Sequence, residues 1–270
     1  QRRAVGADQE PDAARLDAHG AGDRNTVLSS QGPDALEAGG LAGLPAPHTH
    51  FVQLRVVMDA EERGSTQYDT DFWGLYLAVE NVDDDFLKDH ALPDQSVFKV
   101  DGMQPHWGKQ GADKLTEADG ARFVQSVFSQ PREEWWRKNV ALDDYFSYRS
   151  IVECIHHYDL DGGKNYFFRR DPVSQRWTVV PWDIDLTWGD HMFGSGGEPF
   201  YQAGALRHTA IRREYQNRLR EIRDLLFNPE QTGALIDEYA GLIATPVRGQ
   251  TFAEADRRQW DHHPILSSRY

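Results

Sequence analysis

The sequence predicts an α+β fold: a small sheet-rich lobe, then a larger and mostly helical lobe that carries a β-hairpin. Three observations lead there. Two β-rich runs, 50–58 (HFVQLRVVM) and 72–80 (FWGLYLAVE), flank a polar, turn-like stretch. From about residue 115 the apolar residues recur at helical spacing. Within that helical part, Tyr166-Phe167-Phe168-Arg169-Arg170 and Arg176-Trp177-Thr178-Val179-Val180-Pro181 frame a turn, Asp171-Pro172-Val173-Ser174-Gln175.

Taken in chain order, residues 1–42 are rich in Ala, Gly, Asp and Arg, show no sustained period and are expected to be poorly ordered or aberrant. A short helix around 32–42 fits the loose spacing of Leu36, Leu41 and Leu44. Organised sequence starts at Leu44-Pro45-Ala46-Pro47, and residues 43–101 form the expected sheet-rich lobe. After the two strands, Asp83 can cap a short helix running to His90. Residues 96–100 (SVFKV) read as a third strand of the same lobe.

Residues 102–270 form the expected helical lobe. Thr116 and Asp119 make a capping pair ahead of Phe123, Val127 and Phe128. Asp143 or Asp144 opens a long helix to His157, with Tyr145, Tyr148, Ile151, Val152 and Ile155 as its apolar stripe. Beyond the hairpin, a helix is expected over 209–227. Another starts at Asn228-Pro229-Glu230-Gln231, and a last one near Thr251 has Glu254 closing a capping box.

Composition narrows the function classes. The 270 residues include 8 Trp, 10 Tyr and 13 Phe, all after residue 50, so this is a packed protein rather than a disordered one. A net charge of −14 argues against a nucleic-acid reader, which carries a basic face. The single cysteine, Cys154, permits neither a disulfide framework nor a thiolate zinc site and reads as a small buried hydrophobe. No apolar run is long enough for a membrane span. The chain begins at Gln1 without a signal-like apolar run. The expectation is a targeting segment lying outside this chain, with a secreted or cell-envelope setting as one reading and the compartment itself open. Oligomeric state is not encoded in any of these features.

The densest chemistry brackets the hairpin. Before it stands His156-His157-Tyr158-Asp159-Leu160-Asp161-Gly162-Gly163-Lys164-Asn165; after it stands Trp182-Asp183-Ile184-Asp185-Leu186-Thr187-Trp188. If both arms are strands, both acidic groups lie at the end opposite the turn. Carboxylates distant in sequence then converge, together with an Asn. Metal-dependent phosphoryl transfer needs a carboxylate for the nucleophile's proton and oxygen ligands for the cation. Asp159 on a loop after a long helix, Asn165 six residues on, and Asp183 after the second strand follow that order.

Other chemistries remain in play at this level. An EF-hand loop starting at Asp159 fails because Lys164 stands where Gly is needed and Arg170 where Glu is needed. A metal-dependent hydrolase can be drawn with His156, His157 and His191 beside Asp159 and Asp183, although adjacent helical histidines diverge by about 100°. A paired-carboxylate glycosidase is conceivable, but no feature sets two carboxylates across a sugar cleft. Aspartates at element ends also serve simply as caps and turns. Trp182 and Trp188 read as core packing.

Several segments resemble the CotH kinase-like family, the spore-coat-protein-H group of atypical protein kinases. Gly43-Leu44-Pro45-Ala46-Pro47 is similar to that family's lead-in to its first strand pair. Gly74-Leu75-Tyr76-Leu77-Ala78-Val79-Glu80 with Phe86-Leu87, then Phe98-Lys99, resembles its Gly-x-Tyr-x-x-x-Glu segment and following aromatic-Lys. Lys164-Asn165-Tyr166 within 159–171 resembles the catalytic loop, and Pro181-Trp182-Asp183-Ile184-Asp185 the Trp-Asp-x-Asp block. The likeness covers about residues 43–262.

The resemblance implies an atypical protein-kinase-like two-lobe fold. It implies transfer of the ATP γ-phosphoryl group, with Mg²⁺ or Mn²⁺, to Ser or Thr of a protein substrate. By motif, Asp159 would be the catalytic carboxylate, with Asp161 its rival in a loop one residue longer than the family's. Asp183 would bind metal, Asn165 metal or phosphate, and Asp185 would share the metal or brace its loop. Lys99 would reach a phosphate, and Glu80 would pair with a basic group in the cleft. Residues 1–42 lack the apolar helix, basic motif and preceding strands that the family uses to hold nucleotide, so the N-lobe is expected to be incomplete. An inactive kinase-like scaffold that binds a partner is the accompanying alternative.

Overall fold

Two small sheets are interleaved with helices along this α+β chain, seen here in a computed structural model. It describes residues 38–55, 72–102, 104–157, 159–160, 163–184, 187–188, 204–246, 249 and 251–261. Strands β1 (Thr49–Arg55) and β2 (Phe72–Val79) pair antiparallel as a two-stranded sheet, with Thr49 opposite Val79. Helix α1 (Asp84–Asp89) follows, capped by Asp83, whose side chain accepts from the Asp85 and Phe86 amides. Strands β3 (Val97–Asp101) and β4 (Gln104–Lys109) come next, then helices α2 (Glu117–Phe128), α3 (Glu133–Asn139) and α4 (Leu142–Cys154). The hairpin consists of β5 (Tyr166–Arg170) and β6 (Trp177–Pro181). Helices α5 (Thr209–Leu226), α6 (Pro229–Ala244) and α7 (Phe252–Asp261) follow it.

The second sheet has the order β4-β3-β5-β6. The third strand, expected within the same lobe as the first two, is hydrogen-bonded to neither of them. Its neighbours are β4 and β5, with Phe98 opposite Phe168 and Lys99 opposite Phe167. Both faces of the hairpin are apolar, and both are covered. Phe98, Val100, Tyr166, Phe168, Trp177 and Val179 face the main core, beside Phe123, Trp136, Tyr145 and Tyr148 from α2, α3 and α4. Val97, Phe167 and Val180 face the other way, onto Val82, Phe86 and Leu87 at α1.

Strand β4 and helix α3 carried no sequence expectation. β4 holds Pro105 and Gly108 and lies at the sheet edge, where a missing N–H is tolerated. The capping pair of α2 is present: Thr116 N–H and Oγ1 donate to Asp119 Oδ2 at 2.9 and 2.7 Å. Helix α4 starts at Leu142, so Asp143 and Asp144 lie inside its first turn instead of capping it, and it ends before His157. Its expected apolar stripe is buried throughout. Asn228 caps α6 through a bond from the Gln231 amide with Pro229 at N1, and Thr251 with Glu254 caps α7, as the sequence indicated.

The expected helix near the start lies mostly outside the described residues. What is described is a helical turn over 38–41, with Ala38 and Ala42 buried against Ile151, Ile155, Ile184 and Ile222. Among the described residues no helix is long and apolar enough to cross a membrane.

Candidate functional site

The register of the hairpin decides where its flanking acids go. Arg170 pairs with Trp177 beside the turn, and Tyr166 pairs with Pro181 at the far end. Asn165 directly precedes Tyr166, and Trp182-Asp183 directly follow Pro181. Both acidic segments therefore leave the same end of the hairpin, as the sequence suggested. The turn itself is closed by Asp171 N–H donating to Arg176 O at 2.9 Å.

Asp159 is suspended between buried anchors. Ile155 is the C-cap of helix α4, His156 takes a left-handed φ of 52°, and His157 N–H donates to Val152 O at 3.1 Å. His157 and Leu160 are both 1% exposed, which pins the loop on either side of a half-buried Asp159. His156 is exposed while His157 is buried, and because both lie past the end of α4 the left-handed backbone at His156, not a helical step of about 100°, accompanies the divergence. The metal-dependent hydrolase reading would draw on a buried His157 and an exposed His156. His191, the third histidine of that reading, lies outside the described residues.

Asn165 ties itself to Asp159. Its Nδ2 donates to Asp159 Oδ2 at 2.8 Å and to the Asp159 carbonyl at 2.9 Å. Its backbone is left-handed, φ 65°, a conformation Asn adopts more readily than most residues. This turn lets the side chain reach back across the loop as β5 begins. Lys164 adds an ion pair, Nζ to Asp159 Oδ1 at 2.7 Å. The motif by itself assigns Lys164 no role. Its available signal was adjacency to Asn165, and only the folded loop brings its ammonium onto the carboxylate.

Asp183 sits between two packed neighbours in the same manner. Trp182 meets Phe167 edge-to-face at 5.3 Å, and Ile184 is buried against Ile151, Ile155 and Ile222. Between them Asp183 is exposed, with φ 53°. Trp188 N–H donates to Ile155 O at 2.8 Å, fastening this segment to the end of α4 beside the Asp159 loop. Trp188 itself is 43% exposed and touches Phe227, so the expectation of a core tryptophan is wrong there. Its backbone lies in the left-handed region, φ 64°. Asp161 and Asp185 lie outside the described residues.

Lys99 belongs to an interior strand, not to a sheet edge, yet its side chain is exposed. Its Nζ lies 5.7 Å from the ring centre of Trp182, the residue before Asp183, a cation–π distance. Glu80 is engaged elsewhere: His90 Nε2 is 3.1 Å from its Oε2, and the His48 amide donates to the same oxygen at 2.9 Å. The basic group it meets is thus a histidine of α1's C-terminal end.

Three further titratable groups are perturbed, Arg169 on β5 and Asp144 and Cys154 on α4. Burial pushes the Asp144 carboxyl up, opposed by the Arg169 guanidinium, and burial lowers Arg169 itself. Cys154, half-buried at the end of α4, has its thiol pushed up to about 11, mainly by burial and secondarily by Glu153.

Two comparisons bear on the site. The family model described as CotH kinase protein matches residues 35–265. Inner spore coat protein H of Bacillus subtilis (strain 168) is 22% identical over 227 residues, 73% of this chain. The match spans 62% of the length of that relative.

Proposed function

The chain belongs to the CotH kinase protein family, and from that premise we propose that it is an atypical protein kinase, transferring the γ-phosphoryl group of ATP to Ser or Thr hydroxyls of a protein with Mg²⁺ or Mn²⁺. The observation that carries this reading is the hydrogen-bonded pair of Asp159 and Asn165, at the hairpin end from which Asp183 also emerges. A two-lobe arrangement is part of the proposal, with residues 43–101 as small lobe and hinge and 102–270 as the large lobe.

The donor set fits a hard divalent cation. Asp183 offers an exposed carboxylate, and Asn165, whose Nδ2 is committed to Asp159, retains Oδ1 as an oxygen ligand. When bound, the cation supplies charge neutralisation on the phosphate oxygens. Asp159 orients the incoming hydroxyl and accepts its proton at a carboxylate oxygen. Lys164, 2.7 Å from Asp159 Oδ1, adds positive charge beside the transferring group and holds the carboxylate in place. Asp185 shares the metal or braces its loop, and Asp161 is the alternative proton acceptor. Lys99 reaches toward a phosphate from β3, and Glu80 contributes through its histidine partner. By analogy with the relative named as an inner spore coat protein, the setting is a coat or envelope.

A thermal-shift series with ATP tests the reading. ATP with Mg²⁺ is expected to stabilise the chain by about 2.7 kcal/mol at a hundredfold excess over Kd, and ATP with chelator by less. Labelled γ-phosphate should then appear on a protein substrate. No ATP-dependent shift would leave an inactive scaffold. Metal-dependent ester hydrolysis without ATP binding would favour a hydrolase.

A further inference from the structure

Away from the hairpin, two imidazoles and a carboxylate meet where β1 begins, β2 ends and α1 stops. His48 directly precedes β1 and Glu80 directly follows β2. The first register pair, Thr49 and Val79, sets them opposite one another, and Glu80 N–H donating to His48 O at 2.8 Å extends the ladder by one rung. His90 is the C-terminal cap of α1, and its ring packs on the buried Phe86 with centroids 4.3 Å apart. The His48 and His90 rings stack at 4.7 Å with planes 16° apart. One ligating atom from each of His48, Glu80 and His90 lies within 4.8 Å of the other two.

We propose that His48, Glu80 and His90 form a binding site for a divalent transition-metal cation, Zn²⁺ by the chemistry of its donors. Bond lengths of about 2.0–2.2 Å to N and O in a tetrahedral site put neighbouring ligand atoms about 3.3 Å apart. The Glu80–His90 separation of 3.1 Å already matches that spacing. The remaining separations, at most 4.8 Å, close by about 1.5 Å or less through rotation of the exposed His48 side chain. Two imidazoles with one carboxylate suit Zn²⁺ and its transition-metal neighbours. Mg²⁺ and Ca²⁺ require an all-oxygen shell of higher number. The carboxylate is oriented by a hydrogen bond from the backbone amide of His48 at 2.9 Å, an arrangement that tunes metal ligands in general. A plain Glu80–His90 hydrogen bond would need no second imidazole beside the same carboxylate. An ion here would clasp three segments and leave a fourth position for water.

The site shares Glu80 and its partner His90 with the kinase reading and does not rest on it. The test is a Co²⁺ titration of the full chain, stripped of metal, in nucleotide-free and Mg²⁺-free buffer, followed by visible d–d absorption and competed with Zn²⁺. The expected result is one Co²⁺ per chain with the spectrum of a four- or five-coordinate ion, displaced by Zn²⁺. His48→Ala and His90→Gln should each weaken binding at least about tenfold, and His106→Ala should leave it unchanged. Zn²⁺ should raise the Tm of the parent chain and not that of His48→Ala. If His90→Gln fails to fold for want of packing on Phe86, the exposed His48 variant alone decides. No d–d spectrum, or binding that His48→Ala leaves intact, overturns the proposal. Because the readout contains no nucleotide, its failure and a failure of the kinase reading are separately visible.

Discussion

The side-chain amide of Asn165 bridges two oxygens of Asp159, the carboxylate Oδ2 at 2.8 Å and the backbone carbonyl at 2.9 Å. One residue thus fixes both the position of the carboxylate and the path of the loop that carries it. Removing the amide costs about 1–3 kcal/mol for the bonds. An added cost of about 1–2 kcal/mol arises where a residue with Cβ must hold φ 65° without local hydrogen bonding. Asn165→Ala should therefore destabilise more than Asn165→Gly, and both should abolish transfer. Urea melts beside a phosphotransfer assay check this; equal stability of the two variants would contradict the strained-turn account.

The two acidic positions should separate by readout. Asp159→Asn is expected to keep the stabilisation by ATP and Mg²⁺ while lowering transfer about 10²–10⁴-fold, the usual contribution of a positioned acid or base. Asp183→Ala should lose the metal-dependent part of ATP binding. Thermal shift and labelled-phosphate transfer, run on both variants, measure this. Transfer retained in Asp159→Asn would point to Asp161.

Cys154 should be chemically quiet. With its thiol pushed up to about 11, chiefly by burial, little thiolate exists at pH 8. Modification by a disulfide reagent is expected to be slow in the native state and complete at once in denaturant. Rapid native labelling would mean that the end of α4 opens readily.

Acid should unfasten the hairpin turn. Asp171 accepts from the Ser174 amide at 2.6 Å and the Val173 amide at 3.2 Å, and these bonds, Ser174 first, hold its carboxyl below the ordinary range. A depressed native value means that the unfolded chain binds the proton first. The stability is therefore present above the unfolded pKa of about 4 and is lost as pH falls through the native value. Asp171→Asn should be less stable than the parent at pH 7 and converge with it at pH 2. Urea midpoints across that range would refute the assignment if the gap stayed constant.

Backbone crowding should make one glycine irreplaceable. A Cβ on Gly111 would land on the backbone of Gln95 and Ser96, beside the bond from Gly111 N–H to Ser96 Oγ at 3.0 Å. Gly111→Ala is expected to cost about 3 kcal/mol. Gly40→Ala, with nothing within 4 Å of its added carbon and a place in a helical turn, should be neutral or slightly stabilising. Denaturant melts of the pair test this.

Local signals proved legible wherever they were self-contained. The hairpin, the caps at Asp83, Thr116, Asn228 and Thr251, and the buried stripe of α4 all follow from residues a few positions apart. The acids at one hairpin end were legible for the same reason, since two paired strands and a turn leave no other geometry. β4 was not, because a strand with Pro105 and Gly108 lacks alternation and is held by its neighbour β3.

The hairpin, the caps at Asp83, Thr116, Asn228 and Thr251, and the motif order of Asp159, Asn165 and Asp183 were settled by the sequence alone, because hydrogen bonds within a turn depend on adjacent residues. Only tertiary structure decided that β3 joins the hairpin sheet, that Lys164 reaches Asp159, that Trp188 faces outward, and that His48, Glu80 and His90 gather at one corner. Strand order and side-chain direction are chosen by packing between segments distant in sequence, and no local period records that choice.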